Sequence, residues 1–89
     1  MYYTYVLKSK KDGNNYVGYT HDLAGRFEQH KNGHVISTRA RRPLTLVYYE
    51  ACKDKADALR REKHLKTYYG HMYLTKRLKS YFTRPPVNK

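Results

Sequence analysis

Two short runs rich in aromatic and β-branched residues stand close together near the start of the chain: Tyr3 to Lys8 (YTYVLK) and Tyr16 to Thr20 (YVGYT). Between them lies Lys10-Lys11-Asp12-Gly13-Asn14-Asn15, a polar stretch with Asp-Gly in its middle. That is the turn chemistry of a β-hairpin, and it commits the first part of the chain to antiparallel pairing. The rest of the chain must cover the hairpin. At Asp22 the period changes: Leu23 and Phe27 fall four apart, with Thr20 or Asp22 available as N-cap and Asn32-Gly33 as the stop, which predicts a helix. Gly25 inside it costs about 1 kcal/mol against alanine.

Residues His34 to Pro43 (HVISTRARRP) show no period and carry Arg39, Arg41 and Arg42, the pattern of a basic loop. Leu44 to Glu50 (LTLVYYE) reads as a third strand and, being the most continuously apolar run, is expected at the centre of the sheet. Asp54 can cap a second helix whose stripe runs Ala58, Leu59, Glu62, Leu65, and after Tyr68-Tyr69-Gly70 the spacing of Leu74, Leu78, Tyr81 and Phe82 predicts a third helix, ended by Pro85-Pro86. The order β-β-α-β-α-α predicts an α+β domain, a small three-stranded sheet flanked by helices, over residues 1–83, with 84–89 as a disordered tail.

Composition narrows the function. At 89 residues the chain can build one core and has no room for a second domain. No stretch approaches the roughly 20 apolar residues of a membrane span, and no basic, apolar and cleavage regions of a signal peptide precede the first strand; the protein is expected to stay in the cytoplasm. Cys52 is the sole cysteine, so neither an internal disulfide nor a zinc motif can form. The strongest bias is charge: 19 Lys plus Arg against 7 Asp plus Glu give a formal net charge of +12. Such an excess suits a polyanion, nucleic acid ahead of an anionic membrane surface. Tyrosine is the second oddity, at 11 residues with no tryptophan. A tyrosine can stack on a base, donate to a phosphate, or pack at the edge of a small core.

Three groups of residues carry candidate chemistry. Glu62 sits on an apolar stripe, where a carboxylate has to be paired, hydrogen-bonded or bound to a cation. A divalent metal held by hard oxygen ligands is one solution and a salt bridge to Arg26 or Lys66 is the other; the pattern weighs them evenly. Arg26 and His30 are four apart on the first predicted helix and so share a face. They are either solvated basic residues or a phosphate clamp beside a proton relay. Tyr5 and Tyr16 lie on the two hairpin strands, where their hydroxyls could approach each other. A phenol ionises near pH 10, so it acts as a base only if cations stabilise the phenolate.

Taken together, Tyr3-Thr4-Tyr5, then Tyr16-Val17-Gly18, then Arg26, His30, and Glu62 within Ala58-Leu59-Arg60-Arg61-Glu62-Lys63 resemble the GIY-YIG nuclease module over residues 2 to about 82. The likeness is greatest to its short stand-alone bacterial members, which are related to the N-terminal nuclease module of the excinuclease. The Gly-Ile of the first signature is Tyr3-Thr4 here. Larger members carry a C-terminal site asparagine, for which the chain offers only Asn88, left unassigned. The resemblance implies an antiparallel three-stranded sheet, a single Mg²⁺ or Mn²⁺ on Glu62, one tyrosine of the pair deprotonating water, and Arg26 stabilising phosphorane charge while Tyr5, Tyr16 and His30 orient or activate the nucleophile. The five residues are expected on one concave surface. Arg39, Arg41, Arg42, Lys63 and Lys66 are expected to contact phosphates of nucleic acid, DNA rather than RNA, with specificity supplied by a protein partner. The alternative is a catalytically weak or silent nucleic-acid-binding module of the same fold.

Overall fold

The structure is a computed structural model that describes residues 1–84; the expected Pro85-Pro86 helix stop, Asn88 and nearly all of the expected tail lie outside the described residues. In chain order the elements are β1 (Tyr2–Ser9), β2 (Asn15–Thr20), α1 (Leu23–Lys31), α2 (Ile36–Arg39), β3 (Leu44–Cys52), α3 (Lys55–Leu65), α4 (Tyr68–Arg77) and α5 (Lys79–Thr83). The fold class is α+β, as expected, with three antiparallel strands in the order β2-β1-β3.

The centre of the sheet is β1, and the third strand is an edge, contrary to expectation. The burial pattern gives the reason. Thr4, Tyr5, Val6 and Leu7 are each at most 1% exposed, because β1 has a strand on either side and helices on both faces. A strand covered on both faces has no alternation to read. By contrast β3, apolar as it is, keeps residues such as Tyr49 exposed along its length.

Side chains of β1 divide between two cores. On one face Tyr5 and Leu7 join Leu44, with Tyr16, Leu23, Phe27 and Leu46 packed around them, so α1 covers this side. On the other face Val6 joins Val17, Leu65 and Leu74, with Val47 and Tyr48 alongside, so α3 and α4 cover that side. Thr4 ties the second face to its helix through Oγ1, which donates to the Ala58 carbonyl at 2.8 Å.

The helix boundaries have local causes. Asp22 caps α1 by accepting from the Gly25 amide at 3.1 Å, and Asp54 caps α3 by accepting from the Ala56 amide at 2.8 Å. The end of α1 is a Schellman turn: Gly33, at φ +78°, donates to the His30 carbonyl at 3.1 Å, and His34 donates to that of Gln29 at 2.9 Å. The expected basic loop contains the four-residue helix α2, too short to show a period. The expected third helix is two, α4 and α5, broken at Leu78. On α3 the buried stripe is Ala58 and Leu65, while Leu59 is 40% exposed. None of the described helices is long and apolar enough to cross a membrane.

Candidate active site

The hairpin register brings the two tyrosines together. Pairing sets Tyr5 opposite Gly18 and Leu7 opposite Tyr16, so Tyr5, Tyr16 and Gly18 share one face. Gly18 is required by contact: a methyl group at that position would fall within the Tyr5 ring. The two tyrosine rings lie with centroids 6.5 Å apart. His30, one turn beyond Arg26 on α1, packs edge-on against both, at 5.6 Å from Tyr5 and 5.3 Å from Tyr16.

His30 is fully buried, and both ring nitrogens are occupied. Nε2 lies 2.7 Å from the Tyr5 hydroxyl and Nδ1 lies 2.7 Å from Oγ1 of Thr38 on α2. Burial, with the Arg26 charge nearby, pushes the imidazole down to about 4, so it is neutral around pH 7. Burial raises Tyr5 above its ordinary value; the adjacent Arg26 guanidinium opposes that, and Tyr16 and the Glu62 carboxylate add to it. Arg26 is held by its own helix, donating to Gln29 Oε1 at 2.9 Å. Tyr16 is half-buried, and its hydroxyl takes a long bond from Ser37 Oγ at 3.4 Å.

Tyr5, Tyr16, Arg26 and His30 thus converge on one face of the sheet. Glu62 comes from a helix on the other side of the sheet and is near enough to Tyr5 for its charge to be felt there. That helix, α3, sends Leu65 into the core with Val6 and Val17. Glu62 Oε2 accepts from Lys66 Nζ at 3.2 Å, the i,i+4 partner expected on the salt-bridge reading, with side chains 22% and 53% exposed respectively. Among the described residues Oε1 bonds to no side chain, whereas both oxygens of Glu50 are taken by Arg61. No group of three His, Cys, Asp or Glu capable of enclosing a metal occurs among the described residues. The donor set therefore fits a hard divalent cation held by one carboxylate, with water and phosphate completing its shell, and fits no protein-enclosed metal.

The basic residues divide in a way the sequence does not show. Arg41 donates to Asp12 at 2.7 Å and to the Asn14 carbonyl at 3.2 Å, and it holds the Asp12 carboxyl down to about 2; this arginine braces the turn of the hairpin. Arg39 and Arg42 instead line an open cleft of about 950 Å³ together with Lys11 and Lys31, above a floor that includes Phe27 and Leu46. Arg42 is braced by donating to the Arg39 carbonyl at 3.0 Å. Lys63 is exposed, and Lys66 is the residue bonded to Glu62. Thr38 and Gln29 escape a reading of the sequence, because neither is a titratable or cationic type; their importance lies in which polar atom each one meets.

The profile of the GIY-YIG catalytic domain matches residues 1–74. A UPF0213 protein of Staphylococcus saprophyticus is 43% identical over 68 residues, 75% of this chain and 82% of its own length. UPF0213 proteins of Staphylococcus aureus strains N315 and MW2 are 41% identical over the same shares. The solution structure of a UPF0213 protein from Bacillus halodurans is similar at TM-score 0.54 and 35% identity, covering 85% of this chain and 84% of that one.

Proposed function

Because the chain belongs to the GIY-YIG family of nuclease domains, we propose that it is a metal-dependent endonuclease that hydrolyses phosphodiester bonds in nucleic acid, DNA ahead of RNA, with little sequence preference of its own. The observation that carries this reading is the convergence of Tyr5, Tyr16 and Arg26 on a buried, neutral His30. Arg26, braced by Gln29, offers a planar cation to the scissile phosphate. Tyr5, buried and raised above its ordinary value, keeps its proton and serves as a donor. We assign Tyr16, the less buried residue of the pair, to take the proton of the attacking water. Glu62 would hold Mg²⁺ or Mn²⁺, which when bound would supply positive charge to stabilise the reacting phosphate.

Around this site the cleft cations Lys11, Lys31, Arg39 and Arg42, with Lys63 and Lys66 on α3, are suited to phosphate contacts, which position a strand without reading its bases. Sequence choice would then come from a protein partner, with the enzyme acting in the cytoplasm.

The test is nicking of supercoiled DNA, with linear DNA, single-stranded DNA and RNA in parallel, with and without Mg²⁺ or Mn²⁺. Glu62→Gln keeps the shape of the side chain and removes its charge, so cleavage should fall at least about a hundredfold while binding persists. The exposed Glu62–Lys66 pair is worth only about 0.3–0.5 kcal/mol, so the melting temperature should hardly move. An unchanged nicking rate rules out the metal-ligand role. A wild-type protein that binds all four substrates and cuts none of them leaves a binding module as the function.

A further inference from the structure

A buried hydrogen-bond chain crosses from α2 into the candidate site. Thr38 Oγ1 meets His30 Nδ1, and His30 Nε2 meets the Tyr5 hydroxyl, each at 2.7 Å. Thr38 and His30 have no exposed surface and Tyr5 keeps 1%. A neutral imidazole has one N–H and one lone pair, so a chain through it must run one way or the other.

Running outward, Tyr5 O–H would donate to Nε2, and Nδ1–H would donate to Thr38. The Thr38 hydroxyl proton is then left without an acceptor: among the described residues its oxygen bonds to nothing but His30, and no solvent reaches it. A buried donor without a partner carries its full desolvation cost. Running inward, Thr38 O–H donates to Nδ1, and Nε2–H donates to the Tyr5 oxygen. The spare proton is then the one on Tyr5, the only member of the chain that keeps any exposure and the one beside Tyr16 and Arg26, so it is the proton that a substrate oxygen entering the site can accept.

We propose that Thr38 is a positioning residue that fixes His30 as the Nε2–H tautomer, so that the Tyr5 O–H points into the site as its terminal donor. The donor direction comes from the packing alone; what the donor acts on rests on the proposed nuclease function. In that setting three donors in series polarise one another toward the oxygen that gains negative charge as water loses its proton. The charged and titratable groups around the chain are Arg26 on α1, Tyr16 on β2, Tyr49 opposite Tyr5 on β3, and Glu62 on α3. Among the described residues none of them hydrogen-bonds to the Thr38 side chain. On the same short helix Ser37 turns to Tyr16, so α2 steadies both aromatic partners of the site.

The direct test is a two-bond proton–nitrogen correlation spectrum of the full chain labelled with ¹⁵N-histidine. His30 should show a protonated Nε2 and a bare Nδ1 between about pH 5 and 8; an Nδ1–H tautomer in the wild type overturns the proposal. Thr38→Val should blur the single tautomer, slow cleavage at least about tenfold at unchanged DNA affinity, and move the pH of half-maximal rate upward. Thr38→Ser should restore all three. A folded Thr38→Val protein with a wild-type tautomer and pH profile also overturns it. If the valine variant fails to fold, the wild-type spectrum and Thr38→Ser still decide. The expected tautomer in a wild type that cuts nothing supports the donor direction and removes the nuclease reading alone.

Discussion

At the scale of single residues, His30 links stability to the geometry of the candidate site. Its imidazole titrates near 6.5 when unfolded and near about 4 in the fold, chiefly through burial. Above about pH 6.5 the group is neutral in both states, and its contribution to stability is fully present. As pH falls from there toward 4, the unfolded chain takes up a proton that the folded chain refuses, so stability is lost through that window, by up to about 3 kcal/mol. Urea unfolding at a series of pH values should show this slope in the wild type. In His30→Gln the slope should flatten, together with lower stability near neutral pH, because the substituted amide matches neither the shape nor the bonds of the ring. A slope that survives the substitution would assign the acid sensitivity to other groups.

Elements are joined most visibly where edge strand β3 meets the helices on its face. Arg61 of α3 forks onto Glu50, with Nη2 at 2.8 Å and Nε at 2.9 Å, and stacks over the Tyr73 ring of α4 at 4.5 Å. Tyr48 donates to the same carboxylate at 2.7 Å. Although burial pushes Glu50 up, Arg61 and Tyr48 together hold it below the usual carboxylate range. Burial also raises the Tyr48 phenol, with Tyr73 and Glu50 adding to it, so Tyr48 stays protonated and keeps donating. This joint binds β3, α3 and α4 through one anion. Arg61→Ala should therefore destabilise the fold by about 1–3 kcal/mol by leaving Glu50 short of its partner, and lower the melting temperature by several degrees. Pairing it with Glu50→Gln should recover part of the loss, giving a coupling energy in a double-mutant cycle. Additive losses would show that the pair does little.

For the whole molecule the governing quantity is a net charge of +12, and its distribution decides how that charge acts. Arg39 and Arg42 line the open cleft, whereas Arg41 is engaged by Asp12 and Asn14. Replacing Arg39 and Arg42 by Ala should weaken DNA binding of all sequences alike and reduce the slope of log affinity against log salt by about 2, near 0.9 per lost phosphate contact. Arg41→Ala should leave that slope alone and lower thermal stability. Anisotropy titrations over a salt series on the three proteins would check both statements. An equal fall in slope for Arg41→Ala would show that its ion pair opens to bind phosphate.

Much of this protein was determined by its sequence. The Asp-Gly turn and aromatic runs specify the hairpin, Asp22 and Asp54 specify where two helices begin, and the charge specifies a polyanionic partner, because each of these depends on local dihedral preference, a nearby amide or a simple sum. The order of the strands was not legible: a strand buried on both faces loses its alternation, so β1 was hidden as the centre and apolar β3 looked like it. The short helix α2 was invisible for want of a full period, and with it Thr38, whose place in the site depends on a contact with His30 across a chain reversal. Thr4, standing where the first signature would have isoleucine, shows the same limit, since its hydroxyl is explained only by the Ala58 carbonyl that folding brings above it. Spacing along a chain carries which residue types can meet on one element. Which polar atoms end up paired, which arginines remain free and which face Glu62 approaches from are set by long-range packing, and only the folded chain decides them.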